Sequence, residues 1–473
     1  MKKTTHITTL DKLEVGKDAV IQSIDCQDKA LRKHILDMGL TPKVEVTLVK
    51  TAPMGDPMEI QLRGYELTLR KSDAANITVT DIHDSNNCPR KNKSFDNIAH
   101  SKLGEEAYHT RKLRGSIKKT NLRLALAGNQ NCGKTTLFNK LTGAHQHVGN
   151  FPGVTVDRTE GLLKNNKDII ITDLPGICSL SPYSNEEIVT RNFILNEKPD
   201  GIINIIDATN IERNMLLTMQ LIELDVPMVI ALNMMDEVEK SGGTIDINGL
   251  EAALGIPVIP ISASKDQGLG ELVEHVVNVA KYNEQPGRLD FCNPDFENER
   301  SVHKCIHSII HLIEDDAQTA NIPVRFAASK LTEDDSLIKE ALNLNKDKYE
   351  TIEQIISDME KDRRIDRQAA LADTRFSFIE RLCAQYVHKT EESPDRKFSE
   401  NLDKILTGKY TAFPAFLGIM ALIFYLAFGP FGTYLSDLME KCIGYISGIA
   451  DTALTNYGLN PIVHSLVTDG IFT

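Results

Sequence analysis

The stretch of sequence that decides the fold is LRLALAGNQNCGKTT, residues 122–136. Its apolar first half predicts a buried strand, and the glycines and polar residues that follow predict a turn into a helix. Residues 128–135 fit the pattern G-x-x-x-x-G-K-[ST], in which glycines let the backbone wrap phosphate oxygens while the helix presents unpaired N–H groups to the anion. We therefore predict a phosphate-binding loop in which Lys134 contacts the β- and γ-phosphates and the Thr135 hydroxyl coordinates Mg²⁺.

A second motif, DLPG at residues 173–176, follows the apolar residues 169–172. Because the acid comes at the end of a predicted strand and faces the metal at Thr135, we expect Asp173 to be the second Mg²⁺ anchor. The N–H of Gly176 is placed to sense the γ-phosphate. D-x-x-G alone is a common turn, and only its position one strand after the phosphate loop makes it specific.

The residues between these two motifs include NFPGVTVD at 150–157. A threonine in a mobile loop reaches Mg²⁺ only when the γ-phosphate is present. We therefore predict that Thr155 is a switch residue and a further Mg²⁺ ligand. The alternative is that Thr155 is an ordinary strand residue.

The nucleobase is predicted from NMMD at residues 233–236, after the apolar residues 228–232. A carboxylate at Asp236 accepts from both the N1–H and the exocyclic amine of guanine, and adenine offers neither donor in that geometry. Met234 replaces the lysine that guanine-binding loops usually have there, so its stem must cover the ring by apolar contact. The SAS sequence at 262–264 would present backbone N–H groups to the guanine carbonyl. We therefore predict GTP rather than ATP.

The order and spacing of these segments carry the prediction of a guanine-nucleotide pocket. Its predicted members are Gly128, Asn129, Gln130, Asn131, Cys132, Gly133, Lys134, Thr135, Thr136, Gly153, Val154, Thr155, Asp173, Leu174, Pro175, Gly176, Asn233, Met234, Met235, Asp236, Ser262, Ala263 and Ser264.

Ile177 stands where many GTPases have a glutamine that orients the attacking water. Water must then be positioned by backbone, another residue or a cation, and Asn131 in the phosphate loop can help to hold a monovalent cation against the phosphates. We expect slow, K⁺-stimulated hydrolysis, with Lys134, Thr155 and Asn131 as the catalytic residues.

The 473 residues suggest about three domains. Residues 1–82 alternate polar and apolar side chains over short runs, which predicts a small SH3-like β-barrel with one helix near residues 29–38. Residues 83–120 are predicted to be a basic linker, either a solvated tether or a strip that lies on acidic lipid headgroups. Residues 121–281 alternate strands and helices, which predicts a parallel sheet covered on both faces, and residues 282–408 are predicted to be all-helical.

The segment 411–429 has no charged residue and is near the length that crosses about 30 Å of hydrocarbon. Lys404 and Lys409 precede it, which favours a membrane span with its N-terminal side in the cytosol, although a buried core helix is the alternative. Gly429 and Pro430 are expected to end the helix, and residues 434–449 are predicted to form an amphipathic helix, either at the membrane interface or in a loop. One span cannot enclose a polar pathway, so we expect further spans in the complete protein.

The net charge is −13 and the pI is about 5.5, which argues against a generic nucleic-acid binder. Eight scattered cysteines without a C-x-x-C pair indicate neither a zinc ribbon nor a disulfide framework. A rival interpretation, a soluble GTPase that regulates RNA or the ribosome through its basic linker, is disfavoured by the acidic charge and by the uncharged segment.

With these motifs in place, the chain resembles the ferrous iron transport protein B (FeoB) family with a FeoA-like domain fused at the front. The FeoA-like motifs are LDMGLTP at 36–42, G-D-P at 55–57, RGY at 63–65 and LRK at 69–71. Besides the phosphate loop, DLPG and NMMD, the FeoB-like motifs are GN at 149–150, PGVTV at 152–156, DRQAALAD at 366–373, and Pro414 with Phe416 and Leu417.

The resemblance implies a GTPase (G) domain, a helical domain that acts as a nucleotide dissociation inhibitor, and a multi-pass domain that passes Fe²⁺ inward through the inner (plasma) membrane. It also implies that K⁺ stimulates hydrolysis through Asn131 and that residues 1–408 lie in the cytoplasm. The membrane region, 409–473 and beyond, is expected to self-associate. Gln130 and Cys132 stand where the family often has proline and serine, but neither side chain is needed for phosphate contact.

Overall fold

The computed structural model describes residues 7–52, 55–84, 121–143, 146–151, 156–164, 166–287, 289–388, 406 and 411–456. The chain divides into two compact units, residues 1–51 with 56–393 and residues 52–55 with 394–473. The predicted linker, 83–120, lies outside the described residues from 85 onward, as does the predicted switch residue Thr155.

The front module (residues 7–84) is a six-stranded antiparallel sheet, which confirms the predicted sheet-rich module. Its strands are β1 (Thr8–Thr9), β2 (Lys17–Ile24), β3 (Glu45–Thr51), β4 (Met58–Leu62), β5 (Tyr65–Leu69) and β6 (Ile77–Asp84), in the order β1-β6-β2-β3-β4-β5. Its helices are α1 (Lys29–Asp37) and α2 (Lys71–Ala74).

Helix α1 forms where the sequence predicts it. The Asp28 side chain caps its first turn by accepting from the backbone N–H groups of Ala30 and Leu31. Gly39 follows with φ +88°, a left-handed conformation that glycine adopts without strain and that turns the chain out of the helix. Strands β4 and β5 are joined by two residues in the left-handed region, Arg63 and Gly64, as a tight hairpin requires.

The central sheet has seven strands in the order β14-β12-β11-β7-β10-β9-β8. They are β7 (Leu122–Gly128), β8 (Gln146–Asn150), β9 (Asp157–Leu163), β10 (Asn166–Asp173), β11 (Gly201–Asp207), β12 (Met228–Asn233) and β14 (Val258–Pro260); β13 (Thr244–Ile245) lies outside this sheet. The helices of this part are α3 (Lys134–Thr142), α4 (Asn185–Asn192), α5 (Ile211–Ile222), α6 (Met235–Lys240), α7 (Ile247–Leu254) and α8 (Leu269–Tyr282).

The sheet is mixed rather than wholly parallel as predicted. Strands β14, β12, β11, β7 and β10 are parallel neighbours, whereas β9 and β8 pair antiparallel at the edge. Too few residues separate β9 from β10 for the crossover that a parallel pair needs.

The sheet is covered on both faces, as predicted. Alternating side chains of β11 enter two different apolar clusters, with Ile202 and Ile206 in one and Ile203 and Ile205 in the other. This two-sided burial explains why β11 is an almost continuous apolar run.

The helical part confirms the predicted all-α segment. Its helices are α9 (Glu297–Thr319), α10 (Val324–Thr332), α11 (Ser336–Leu342), α12 (Lys346–Arg363) and α13 (Arg367–Tyr386). A short strand, β15 (Val387–His388), then pairs antiparallel with β13, which ties the end of α13 to the central part.

The second unit contains α14 (Ala412–Phe428) and α15 (Pro430–Asn456). Helix α14 ends before Gly429 as predicted, and none of its side chains is buried, which does not fit the alternative of a buried core helix. The stretch Ala412–Ile449 contains a window with a mean hydropathy of 2.1, so by length and composition it can cross a membrane. Helix α15 is longer than the predicted amphipathic helix at 434–449.

Candidate nucleotide-binding site

Three of the predicted motifs begin at the last residue of a strand, the phosphate loop at the end of β7, DLPG at the end of β10 and NMMD at the end of β12. The fourth, residues 262–264, begins two residues after the end of β14. Strands β10, β7, β12 and β14 run in the same direction, so the segments 128–135, 173–176, 233–236 and 262–264 all meet at the carboxyl edge of the sheet. Ligands of open α/β sheets bind at this edge. The topology thus brings together motifs that are separated by up to about 130 residues of sequence.

The phosphate loop needs its glycines for space as well as for backbone conformation. A Cβ on Gly128 would come within 2.5 Å of the Ile205 carbonyl oxygen, and a Cβ on Gly133 within 2.3 Å of the Asn233 side-chain nitrogen. Gly133 also has φ +94°, and Asn131 has φ +63°. These left-handed conformations lead the loop into the first turn of α3. The backbone N–H groups of that turn have no partner within the helix and favour an anion.

Lys134 places its charge inside the loop. Its side chain is only 9% exposed, and Nζ donates to the carbonyl oxygens of Gly128 at 3.1 Å and Asn129 at 2.8 Å. Thr135 and Thr136, in the first turn of α3, are exposed. The loop therefore places a cation and two exposed hydroxyl-bearing residues at the N-terminus of α3.

Asp173 ends β10 with an unsatisfied carboxylate. Its Oδ1 is buried and has no hydrogen-bond partner among the described residues. Burial raises the pKa of Asp173 to about 6, although the nearby Lys134 ammonium opposes this shift. A buried carboxylate oxygen without a partner is costly, and it is the hard oxygen ligand that Mg²⁺ prefers. The chemistry of Asp173 therefore fits a bound Mg²⁺, with Thr135 supplying a second oxygen.

The segment after Asp173 lies along the phosphate loop. The N–H of Leu174 donates to the Leu126 carbonyl at 3.0 Å, and the N–H of Ile177 donates to the Gly128 carbonyl at 3.3 Å. The Ile177 side chain is buried, so it points into the core. This position therefore supplies no side chain to orient a water, as the sequence indicates.

Asn233 connects the phosphate loop to the base-binding segments. Its buried amide Nδ2 donates to the Cys132 carbonyl at 2.9 Å, and its Oδ1 accepts from the Ala263 backbone N–H at 3.0 Å. The sequence predicted Asn233 as a pocket member but did not predict this bridge. It fixes the distance between the phosphate and base ends of the site.

Asp236 is held ionised at the base end of the site. Its Oδ2 pairs with Lys265 Nζ at 2.9 Å, and its Oδ1 accepts from the Ser262 hydroxyl at 2.8 Å. Lys265 and Ser262 lower the pKa of the Asp236 carboxyl. Sequence reasoning missed Lys265, although it directly follows the SAS segment. A fixed, charged acceptor is what recognition of the two guanine donors requires.

The remaining predicted residues stand as follows. Cys132 is buried, Gln130 and Asn131 are exposed, and Met234 and Met235 are partly exposed, with Met234 in the left-handed conformation that begins α6. Both side-chain polar atoms of Asn129 are buried without a partner among the described residues, which the sequence did not predict. Gly153, Val154 and Thr155 lie outside the described residues.

The structure also groups three residues that their sequence spacing does not connect. Asp18, Glu45 and His83 lie on neighbouring strands of the front module, and their ligand atoms are all within 4.8 Å of one another. His83 Nε2 lies 3.3 Å from Glu45 Oε1 and 3.9 Å from Asp18 Oδ2, distances of ordinary ion pairs.

Comparison with known proteins identifies the front module, the central α/β part and the helical part. Residues 122–276 match the family model described as ferrous iron transport protein B, residues 8–81 match the FeoA domain, and residues 299–388 match the FeoB cytosolic helical domain. A GDP-bound mutant of the S. thermophilus FeoB G domain is 40% identical, with a TM-score of 0.52 over 56% of this chain and 99% of that one. The chain belongs to the FeoB family.

Two named relatives support this assignment. A Porphyromonas gingivalis protein named "Fe(2+) transport protein A/Fe(2+) transporter FeoB fusion protein" is 31% identical over 98% of this chain and 56% of its own length. A Staphylococcus aureus Fe(2+) transporter FeoB is 34% identical over 73% of this chain and 51% of its own length. The chain thus spans about half the length of these FeoB relatives.

Proposed function

We propose that this chain is part of a ferrous iron transporter, in which guanine-nucleotide binding and hydrolysis by the G domain control Fe²⁺ entry into the cytoplasm. The observation that carries the nucleotide assignment is the linked pair of Asn233 and Asp236. Asn233 ties the phosphate loop to the 262–264 segment, and Asp236 presents an ionised acceptor beside it. The names of the relatives support iron as the transported ion.

The pocket members predicted from the sequence are proposed as the GTP and GDP contacts. Asp236 accepts from the guanine N1–H and amine, and the 262–264 backbone faces the guanine carbonyl. Lys134 and the first turn of α3 bind the phosphates. Asp173 and Thr135 hold Mg²⁺, with Thr155 joining them when the γ-phosphate is present.

We further propose that hydrolysis is slow and stimulated by K⁺. The buried Ile177 supports slow hydrolysis, since its side chain cannot orient the attacking water. Asn131, exposed at the phosphate loop, supports stimulation by K⁺, because an amide oxygen there can hold a monovalent cation against the phosphates. K⁺ supplies positive charge near the leaving phosphate without taking or giving a proton.

The proposed organisation has a FeoA-like domain at 1–82, a linker at 83–120, a G domain at 121–281, a helical regulatory domain at 282–408 and membrane segments from 409. Residues 1–408 would face the cytoplasm, and the membrane region of the complete, multi-pass protein would self-associate in the plasma membrane. The rival interpretation, a soluble RNA- or ribosome-binding GTPase, is not supported, because all three family models belong to iron-transport proteins.

Iron uptake in cells tests this proposal. The gene that encodes this chain is expressed in bacteria that lack their own ferrous transporter, as wild type, Lys134→Ala or Lys167→Ala, and uptake of radioactive Fe²⁺ is measured at equal protein abundance. Lys167 is an exposed lysine of β10 and serves as the matched control. We expect Lys134→Ala to reduce uptake to the level of empty cells while Lys167→Ala retains it. Uptake that Lys134→Ala leaves unchanged would contradict nucleotide control.

A further inference from the structure

The front module contacts the G domain through the last residue of α1. Asp37 is only 9% exposed, and its Oδ2 accepts from the hydroxyls of Ser179 at 2.8 Å and Ser181 at 2.7 Å. Both serines are buried as well. A buried carboxylate that accepts from two buried hydroxyls is a satisfied and specific contact, because either partner alone would leave a polar group unpaired.

Ser179 and Ser181 belong to the segment that follows Asp173, residues 174–181, which we name the lid segment. Its first half lies on the phosphate loop. A Cβ on Gly176 would come within 2.9 Å of Lys134 Nζ and 3.1 Å of the Gln130 side chain. The lid segment therefore covers the charge that binds phosphate, and it begins directly after the proposed Mg²⁺ ligand Asp173.

The C-terminal end of the lid segment is anchored both within the G domain and to the front module. Within the G domain, the Leu180 N–H donates to Gln220 Oε1 on α5 at 2.5 Å. From the front module, Asp37 accepts from the serines on either side of Leu180, and the His34 ring stacks on Tyr183 with centroids 4.4 Å apart. The end of the lid segment is thus held between two parts of the protein.

Helix α1 is itself fixed, so Asp37 is an anchor rather than a loose contact. Arg32 pairs with Asp366 at 2.6 Å, at the start of α13, and Lys33 pairs with the buried Glu333. The helical part therefore holds α1 while α1 holds the lid segment. This arrangement connects all three parts of the first unit through one short helix.

We infer that Asp37 is a positioning residue for the nucleotide, which acts through Ser179 and Ser181 to keep the lid segment on the phosphate loop and so slows the release of GDP. This inference rests on the proposed guanine-nucleotide site. Release requires the lid segment to separate from the phosphate loop, and the two hydroxyl bonds to Asp37 resist that separation. The front module thereby sets the lifetime of the bound nucleotide.

The test measures release of fluorescent mant-GDP from the full chain in detergent micelles after mixing with excess GDP. We expect Asp37→Ala to release it about tenfold faster than wild type, which corresponds to about 1.4 kcal/mol. Asp37→Asn keeps an acceptor oxygen and should release it at close to the wild-type rate. Asp25→Ala is the matched control, because Asp25 also accepts from two hydroxyls, those of Ser23 and Thr78, but does so on the exposed surface of the front module.

A double-mutant cycle separates positioning from general stability. Ser179→Ala with Ser181→Ala should accelerate release as Asp37→Ala does, and adding Asp37→Ala should accelerate it little further, because both changes remove the same bonds. The serine variant also carries the test if Asp37→Ala fails to fold. Release at the wild-type rate from the folded Asp37→Ala variant or from the folded double-serine variant would overturn the inference, as would an Asp37→Asn variant as fast as Asp37→Ala. A wild-type chain that binds no mant-GDP would instead contradict the proposed function.

Discussion

Acidification should weaken Mg²⁺ binding at Asp173 over a pH range in which an ordinary aspartate does not titrate. Mg²⁺ binds the ionised carboxylate, and burial raises the pKa of Asp173 to about 6. With that pKa, about nine-tenths of Asp173 is ionised at about pH 7 and about one-tenth at about pH 5. The affinity for Mg²⁺ should therefore fall about tenfold between these values, whereas an aspartate with an ordinary pKa would lose less than a tenth of its affinity.

The raised pKa of Asp173 also makes the stability of the metal-free protein depend on pH. Because the folded-state pKa of Asp173 lies above its unfolded value, ionisation opposes folding, so the metal-free protein should lose stability as the pH rises from about 4 to about 6. The shift corresponds to at most about 3 kcal/mol. Mg²⁺ with nucleotide should restore this loss, because it supplies the partner that Asp173 Oδ1 lacks.

The assay is a calorimetric titration of the GDP-loaded chain with Mg²⁺ at several pH values. The nucleotide phosphate also titrates in this range, so Asp173→Asn is titrated in parallel and its residual pH dependence is subtracted. The reasoning would be refuted if the Mg²⁺ affinity of the wild type, corrected in this way, changed less than about twofold between about pH 7 and about pH 5.

Two further changes test the base end and the core of the first unit. Asp236→Asn should weaken GTP binding about a hundredfold or more and favour XTP, because the new amide donates to the 2-oxo group of xanthine. Equal affinity for GTP in wild type and variant would contradict recognition of guanine by Asp236. Glu333→Gln should lower the free energy of unfolding by about 3–5 kcal/mol, because it removes the buried negative charge that pairs with the buried cations Lys330 and Arg375. The exposed Glu340→Gln should leave the free energy of unfolding unchanged, and denaturant unfolding of both variants checks this.

The Glu333 prediction follows from a buried network at the junction of the three parts. Burial alone would raise the pKa of the Glu333 carboxyl, but Lys33, Lys330 and Arg375 hold it well below its usual range. Arg375 also pairs with Glu223, at the end of α5, at 3.2 Å. Since the folded-state pKa is lowered, Glu333 stabilises the fold at neutral pH, and this contribution is lost as acid protonates it.

The sequence predicted the strands and motifs of the G domain because their signals are local. Strands β7, β10, β11 and β12 each contain a short apolar run, and the phosphate loop, DLPG and NMMD each begin at the last residue of a strand. The prediction of a wholly parallel sheet was wrong at the edge, because no helix separates β9 from β10 and the two strands pair antiparallel. Chain connectivity, rather than side-chain pattern, decides that pairing.

The contacts between the parts could not be predicted, because their partners are far apart in sequence. Asp37 and Ser179 are separated by 142 positions, and Arg63 and Glu380 by 317. Arg63 was noted only as part of the RGY motif, yet its guanidinium is buried and donates to the Gly39 carbonyl, the Thr41 hydroxyl and Glu380. Nothing in the local pattern distinguishes such a side chain from an exposed one.

The measurement that tests the central claim most directly is displacement of bound mant-GDP from the full chain by unlabelled GTP and ATP in the same buffer. A site with an ionised acceptor at Asp236, tied to the phosphate loop through Asn233, should prefer GTP by about a thousandfold or more. Displacement by ATP at concentrations within about tenfold of GTP would contradict a guanine-specific pocket and, with it, control of iron entry by GTP.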